Sequence, residues 1–155
     1  MTVFDLTHPI SPGMPVYPGD PQVEFNPALS LSADGAEVTG LRFGTHTGTH
    51  LDAPSHSIPN GTSVDQLALA LLQGPAVILR PHHEPVTEQA IRFDDLVQVP
   101  DQLPNFVCFA TGWDQYFHTH RREHHPYIEP GLAELLWQRG ARVLGVDTLS
   151  PDPTA

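Results

Sequence analysis

The segments NFVCFAT (105–111) and PGLAELLWQRGARVLGVDT (130–148) decide the fold class of this chain. The first is a short apolar run of the kind that forms a buried strand. In the second, Pro130 stands near a helix start and Gly140 just past its end, with Leu132, Leu135 and Leu136 on one helical face. ARVLGVDT (141–148) then reads as another strand. Strand, helix and strand in that order form a βαβ unit with parallel strands, so the expected class is mixed α/β.

The pattern weakens upstream. AVILR (76–80) reads as a buried strand, and Thr87 is placed to cap a helix running to about Val97. Asn60-Gly61 marks a turn, and Ser63 is placed to cap a short helix through Leu72. VFDL (3–6) reads as a first strand, followed by the proline-rich loop THPISPGMPVYPGDP (7–21). Seventeen prolines and twelve glycines interrupt many short apolar runs, which fits strands joined by shaped loops better than a helical bundle. There is no internal repeat or low-complexity tract.

Composition narrows the function classes. With 155 residues, 39% hydrophobic and 16% charged, the chain reads as one globular domain spanning 1–155. Lys+Arg number 7 against 18 Asp+Glu, and 7 − 18 = −11. That charge opposes nucleic-acid and anionic-membrane binding, because both need a positive footprint. A lone cysteine excludes an internal disulfide, the opening MTVFDLTHPI lacks the parts of a signal peptide, and no apolar run approaches a membrane span. The expected setting is cytoplasmic.

The chemistry concentrates in GTHTGTHLDAPSH (44–56). Over 38–52, Leu41, Phe43, Thr45, Thr47, Thr49 and Leu51 fall on one parity and Arg42, His46, His50 and Asp52 on the other, which predicts extended chain with one polar face. A helix would set Asp52 nearly opposite His50, and Thr-Gly-Thr is poor helix material. A straight strand, however, holds His46 and His50 about 13 Å apart at ~3.3 Å per residue. That is wide for two imidazoles meeting at metal bonds of roughly 2 Å. The chain must bend between them, and Gly48 is where it can. Two imidazoles and a carboxylate then make an open metal site with room for a water. The plainer reading is a solvated polar strand face.

His56 lies beyond Pro54 and is either an unligated imidazole suited to general acid–base work or a surface-loop histidine. HTHRREHHP (118–126) reads as a solvated loop, and His82 and His83 as exposed. Cys108 reads as a small buried hydrophobe. Tyr17 is a pocket wall or a loop anchor, and Asp20 and Asp147 are caps or turn residues.

HTGTHLDAPSH (46–56) resembles the H-x-G-T-H-x-D-x-P-x-H signature of the cyclase family, which includes bacterial kynurenine formamidase and isatin hydrolase. DLTHPISPGMPVYPGDP (5–21), TGW (111–113) and LGVDTLSPD (144–152) resemble further landmarks of that family, so the resemblance covers essentially the whole chain. It implies a β/β/α kynurenine formamidase-like fold, usually assembled as dimers or larger homo-oligomers. It also implies that His46, His50 and Asp52 are metal ligands, Asp52 bridging where two metals are bound, with zinc or manganese as the divalent ion. His56 would be the proton donor and acceptor. Tyr17 falls where kynurenine formamidases usually carry a substrate-packing tryptophan.

Family members continue past the DTLSPD-like segment into a stretch supplying a further histidine, a glutamate and closing strands, whereas this sequence ends at Ala155. The resemblance therefore implies a C-terminally incomplete fold. Either three ligands hold one metal, another subunit completes the site, or the chain is a truncated product. The expected activity is hydrolysis of a small-molecule aryl or cyclic amide, such as N-formylkynurenine to kynurenine and formate. Two other classes remain open: a truncated homologue that binds metal without catalysis, and a non-haem iron oxygenase, since His50-x-Asp52 plus one histidine resembles a facial triad.

Overall fold

The computed structural model describes residues 2–154. They form two compact units, Met1–Gln66 and Leu67–Ala155. No helix among the described residues is long and apolar enough to cross a membrane.

The first unit is built on an antiparallel pair, β1 (Glu24–Leu29) and β2 (Val38–Arg42), joined through the short helix α1 (Leu31–Asp34). Sequence chemistry fixes this connection. The Ser30 hydroxyl accepts from the Ala33 N–H at 3.4 Å, and the Asp34 carboxylate accepts from the Ser30 N–H at 2.8 Å. This reciprocal cap satisfies amides that open a helix. Glu24 faces Arg42 across the pair, and their side chains meet at 2.8 Å. β1 was missed in the sequence because Pro27 interrupts it, and a proline gives no N–H to a ladder. The pairing tolerates it through a register shift between Pro27 and Leu29.

Two expectations fail in this unit. VFDL is extended but pairs with no described strand, and Val3, Phe4 and Leu6 are exposed. The alternating stretch 38–52 is a strand only as far as Arg42. Beyond it, glycines and short hydroxyl side chains favour local turns over a ladder. Ser63 does not cap a helix either. Its hydroxyl donates to Asp65 at 2.6 Å, and the segment forms separate 3₁₀ turns at Val64–Gln66 and Leu69–Leu71.

The second unit holds the βαβ layer. Strands β3 (Ala76–Leu79), β5 (Phe106–Phe109) and β7 (Val143–Gly145) form a parallel sheet in the order β3-β5-β7. Two shorter strands, β4 (Ala90–Ile91) and β6 (Tyr127–Ile128), pair in parallel beside it in sequence order. Helix α2 (Pro130–Gln138) precedes β7. Pro130 is in the first turn, where its missing N–H costs nothing, and the Glu129 carboxylate accepts from the Leu132 N–H at 3.1 Å. Leu132 and Leu136 are fully buried, and Leu135 is half-buried. They join Leu79, Ile91, Leu96, Val107, Phe109, Ile128 and Ala141 in one apolar core.

The helix expected from Thr87 to Val97 is absent. Glu88 adopts a left-handed φ of 57°, and Ala90–Ile91 pair with β6 instead. Pairing buries Ile91 almost completely, and that tertiary gain overrides helix propensity.

Gly140 ends α2 as expected, with φ 116°, and a Cβ there would lie 2.8 Å from the Leu103 carbonyl oxygen. Both the backbone conformation and the close approach require glycine. Gly140→Ala is expected to destabilise the protein by about 2 kcal/mol, measured as a shift in urea midpoint at unchanged slope.

His125 corrects the reading of 118–126 as a solvated loop. His118, His120 and His124 are exposed, but His125 is 1% exposed. Its Nδ1–H donates to the Pro126 carbonyl at 2.9 Å, so Nε2 accepts from the Thr154 hydroxyl, also at 2.9 Å. Burial pushes its pKa below the ordinary histidine value, against the opposing hydrogen bond to Pro126. Below pH ~6.5 the unfolded chain therefore takes up a proton that the folded chain resists. Stability attributable to His125 is constant above that pH and falls as the pH drops through it. Denaturation midpoints between pH 7 and 5 should fall less steeply in His125→Gln than in the wild type.

Candidate metal centre

His46, His50 and Asp52 meet in the first unit. One ligand atom from each lies within 4.8 Å of the others. The bend required by the spacing occurs at Gly48, whose φ is 64°. A Cβ on Gly48 would sit 3.5 Å from both Ile10 and Met14, so the proline-rich loop packs against the turn. The same loop is tied down by the His8 N–H, which donates to the Thr49 hydroxyl at 3.1 Å. The three residues thus converge through a tight turn rather than along a strand face.

Asp52 Oδ1 lies 2.6 Å from His46 Nδ1 and 3.2 Å from His50 Nε2. The Gly48 carbonyl, 2.9 Å from His50 Nδ1, can only accept, which places the His50 proton on Nδ1 and leaves the Nε2 electron pair facing Asp52. A carbonyl partner of this kind is the usual means of orienting a metal-binding imidazole. Three electron-pair donors therefore converge on one point, and their mutual repulsion is relieved by a cation there. The residues fit a divalent ion that accepts mixed nitrogen and oxygen ligands. The side chains of His46 and His50 are each 26% exposed and that of Asp52 46%, so the centre is open to solvent.

His56 is carried back towards this group by a 3₁₀ turn, Pro54–His56. Ala53 is extended, as a residue before proline prefers, and the His56 N–H donates to its carbonyl at 2.8 Å. The expected turn at Asn60-Gly61 closes the loop. Asn60 has φ 61°, and a Cβ on Gly61 would come within 2.7 Å of the Pro54 backbone. The His56 ring ends 3.9 Å from the His46 ring, centroid to centroid. It is thus beside the candidate ligands without being one of the converging donors.

Tyr17 is half-buried at the start of a turn in which its carbonyl accepts from the Asp20 N–H at 3.0 Å. Thr47, between the two histidines, was not singled out by its sequence. Its side chain is buried, and its hydroxyl has no partner among the described residues.

Asp147 is more than a turn residue. It accepts from the Thr111 N–H at 2.8 Å, the Thr111 hydroxyl at 2.7 Å and the Gly112 N–H at 2.8 Å. It thereby clamps the ends of β5 and β7 in the second unit. Cys108 is half-buried, burial raises its thiol pKa, and Gly145 leaves room for its sulfur. That agrees with a packing role.

Comparisons with known proteins agree with this site. The sequence pattern of the Cyclase family matches residues 4–153. A kynurenine formamidase from Geobacillus thermodenitrificans (strain NG80-2) is 30% identical over 152 residues, which is 97% of this chain and 70% of that protein. The solved structure of a potential metal-dependent hydrolase with cyclase activity superposes with a TM-score of 0.76 at 26% identity, covering 98% of this chain and 70% of the other. Isatin hydrolase A from Labrenzia aggregata, bound to benzyl benzoate, gives a TM-score of 0.77 at 22% identity over 97% of this chain and 69% of its own, and supports the fold.

Proposed function

This chain belongs to the cyclase family, and from that premise we propose that it is a metal-dependent hydrolase of C–N amide bonds. The observation that carries the proposal is the convergence of His46, His50 and Asp52 within 4.8 Å, with His56 stacked beside them. In this reading the three converging residues hold one or two divalent ions, zinc or manganese. A bound ion supplies Lewis acidity, which makes water nucleophilic near neutral pH and polarises an amide carbonyl.

The chain's own residues do the rest. His50 is oriented by the Gly48 carbonyl. Asp52 supplies negative charge shared between both imidazoles. A ring nitrogen of His56 accepts a proton from the attacking water and returns it to the departing amine nitrogen. Bond making and breaking then balance as amide plus water giving carboxylate plus amine. For a formamide the products are formate and an aryl amine. Tyr17 offers an aromatic face to the substrate, with less area than a tryptophan and an added hydroxyl. That change broadens the substrate from N-formylkynurenine to related aryl and cyclic amides.

Assembly as a homo-oligomer belongs to the same proposal. Val3, Phe4, Leu6, Leu31 and Leu41 of the first unit are all more than half exposed, a density of apolar surface that association would cover. The test of function is hydrolysis of N-formylkynurenine, formanilide and isatin by protein loaded with zinc or manganese. Turnover of at least one is expected. A folded, metal-loaded protein inert towards all three would instead be a binding homologue without catalysis.

A further inference from the structure

We propose that the second unit carries a separate binding site for a small zwitterion of the α-amino-acid class, formed where β3 and β5 end. This surface is distinct from the residues assigned to amide hydrolysis. A cavity of about 370 Å³ opens beyond the ends of these two strands, lined by Arg80, His82, His83, Thr111, Gly112 and Gln115 among others. A second cavity of about 220 Å³ shares Pro81, His82, His83 and Glu84 with it and adds Gln89, Asp94 and Asp95. Small ligands in open α/β sheets bind beyond the carboxyl ends of the strands, which is where both cavities lie.

The walls are held by hydrogen bonds that do not depend on a ligand. The Ala110 N–H donates to the Leu79 carbonyl at 3.0 Å, joining the two strand ends. The Val97 N–H donates to the Arg80 carbonyl at 3.0 Å and the His82 N–H to the Asp95 carbonyl at 2.7 Å, with an antiparallel bridge between Pro81 and Leu96. Asp147 fixes Thr111 and Gly112, and the Gln115 amide donates to the Gly112 carbonyl at 2.7 Å. The backbone of the site is therefore preformed, and its side chains remain available. Among the described residues no hydrogen bond, ion pair or ring contact engages the side chains of Arg80, His82, His83 or Asp94.

Charge selects the ligand class. The larger lobe has Arg80, a guanidinium suited to a carboxylate. The smaller lobe has Asp94 and Asp95, suited to an ammonium group. A simple anion would meet those carboxylates and a chain of formal charge −11. A simple cation would face Arg80. A molecule with both charges and no net charge matches both lobes at once.

The test is an amide NMR titration of the full chain with L-glutamine and L-phenylalanine, using acetate and methylammonium as single-charge probes and zinc chloride as a metal probe. Each amino acid, at about 10 mM, should shift the amides of His82, His83, Gly112 and Gln115. The single-charge probes at equal concentration should not. Arg80→Gln and Asp94→Asn, both at exposed positions, should keep the dispersed spectrum of the fold and each weaken binding by about 10-fold. Equal shifts with acetate alone, shifts with zinc alone, or no shift with either amino acid would each overturn the proposal. None of these outcomes bears on amide hydrolysis, which is read separately.

Discussion

Replacing His56 by alanine is expected to lower amide turnover by about 10²–10⁴-fold while leaving metal content unchanged. The expectation follows from position. His56 stacks on His46 at 3.9 Å but is outside the donor set formed by His46, His50 and Asp52. Alanine removes the ring nitrogens without removing a converging ligand. The turn that positions it rests on backbone bonds from Pro54 to Gly61, so the loop should survive the change. Turnover and metal per chain are measured on the same preparation. Retained turnover would remove His56 from proton transfer, and lost metal would make it a ligand.

The largest effect on stability is expected at Asp147. Its two carboxylate oxygens accept three hydrogen bonds from Thr111 and Gly112, and Thr111 is buried. Asp147→Ala leaves two backbone amides and a hydroxyl without that partner. Hydrogen bonds to a charged group contribute ~1.5–3 kcal/mol each, and losses within one cluster are not additive. The expected destabilisation is about 3–5 kcal/mol, read from urea unfolding. Asp147→Asn should recover part of it, because one amide oxygen still accepts while the amide nitrogen faces donors. A midpoint unchanged by alanine would show that the clamp adds nothing to the fold.

What the sequence made legible follows from how local each signal is. α2 and the strands on either side of it were readable because apolar spacing, Pro130 and Gly140 all mark the same boundaries. The bend at Gly48 was readable because two imidazoles four residues apart cannot share a ligand on a straight strand. The turn at Asn60-Gly61 was readable from its residue types alone. Other features depend on partners distant in sequence. VFDL has strand composition, yet no described strand pairs with it. The alternation over 38–52 has the period of a strand, but the chain beyond Arg42 turns instead. Thr87 and its neighbours carry helix-start signals that pairing of Ala90–Ile91 with Tyr127–Ile128 overrides.

Histidine density misled in the same way. Adjacent arginines made 118–126 look uniformly solvated, and nothing local distinguishes His125 from His124. The difference is tertiary, since His125 is buried between the Pro126 carbonyl and the Thr154 hydroxyl. Asp147 looked like a turn residue because its three donors lie about a quarter of the chain upstream. In the metal centre, by contrast, all three donors and the bend between them lie within seven consecutive residues, which is why short-range geometry was enough to bring them together.

The central claim is that His46, His50 and Asp52 hold a metal. Its most direct test is elemental mass spectrometry of the purified chain after incubation with zinc or manganese and removal of free ion. The wild type should retain at least one ion per chain, and His50→Ala should lose it while keeping its fold. A folded wild-type chain that retains no ion, or a His50→Ala chain that retains as much as the wild type, would contradict the claim.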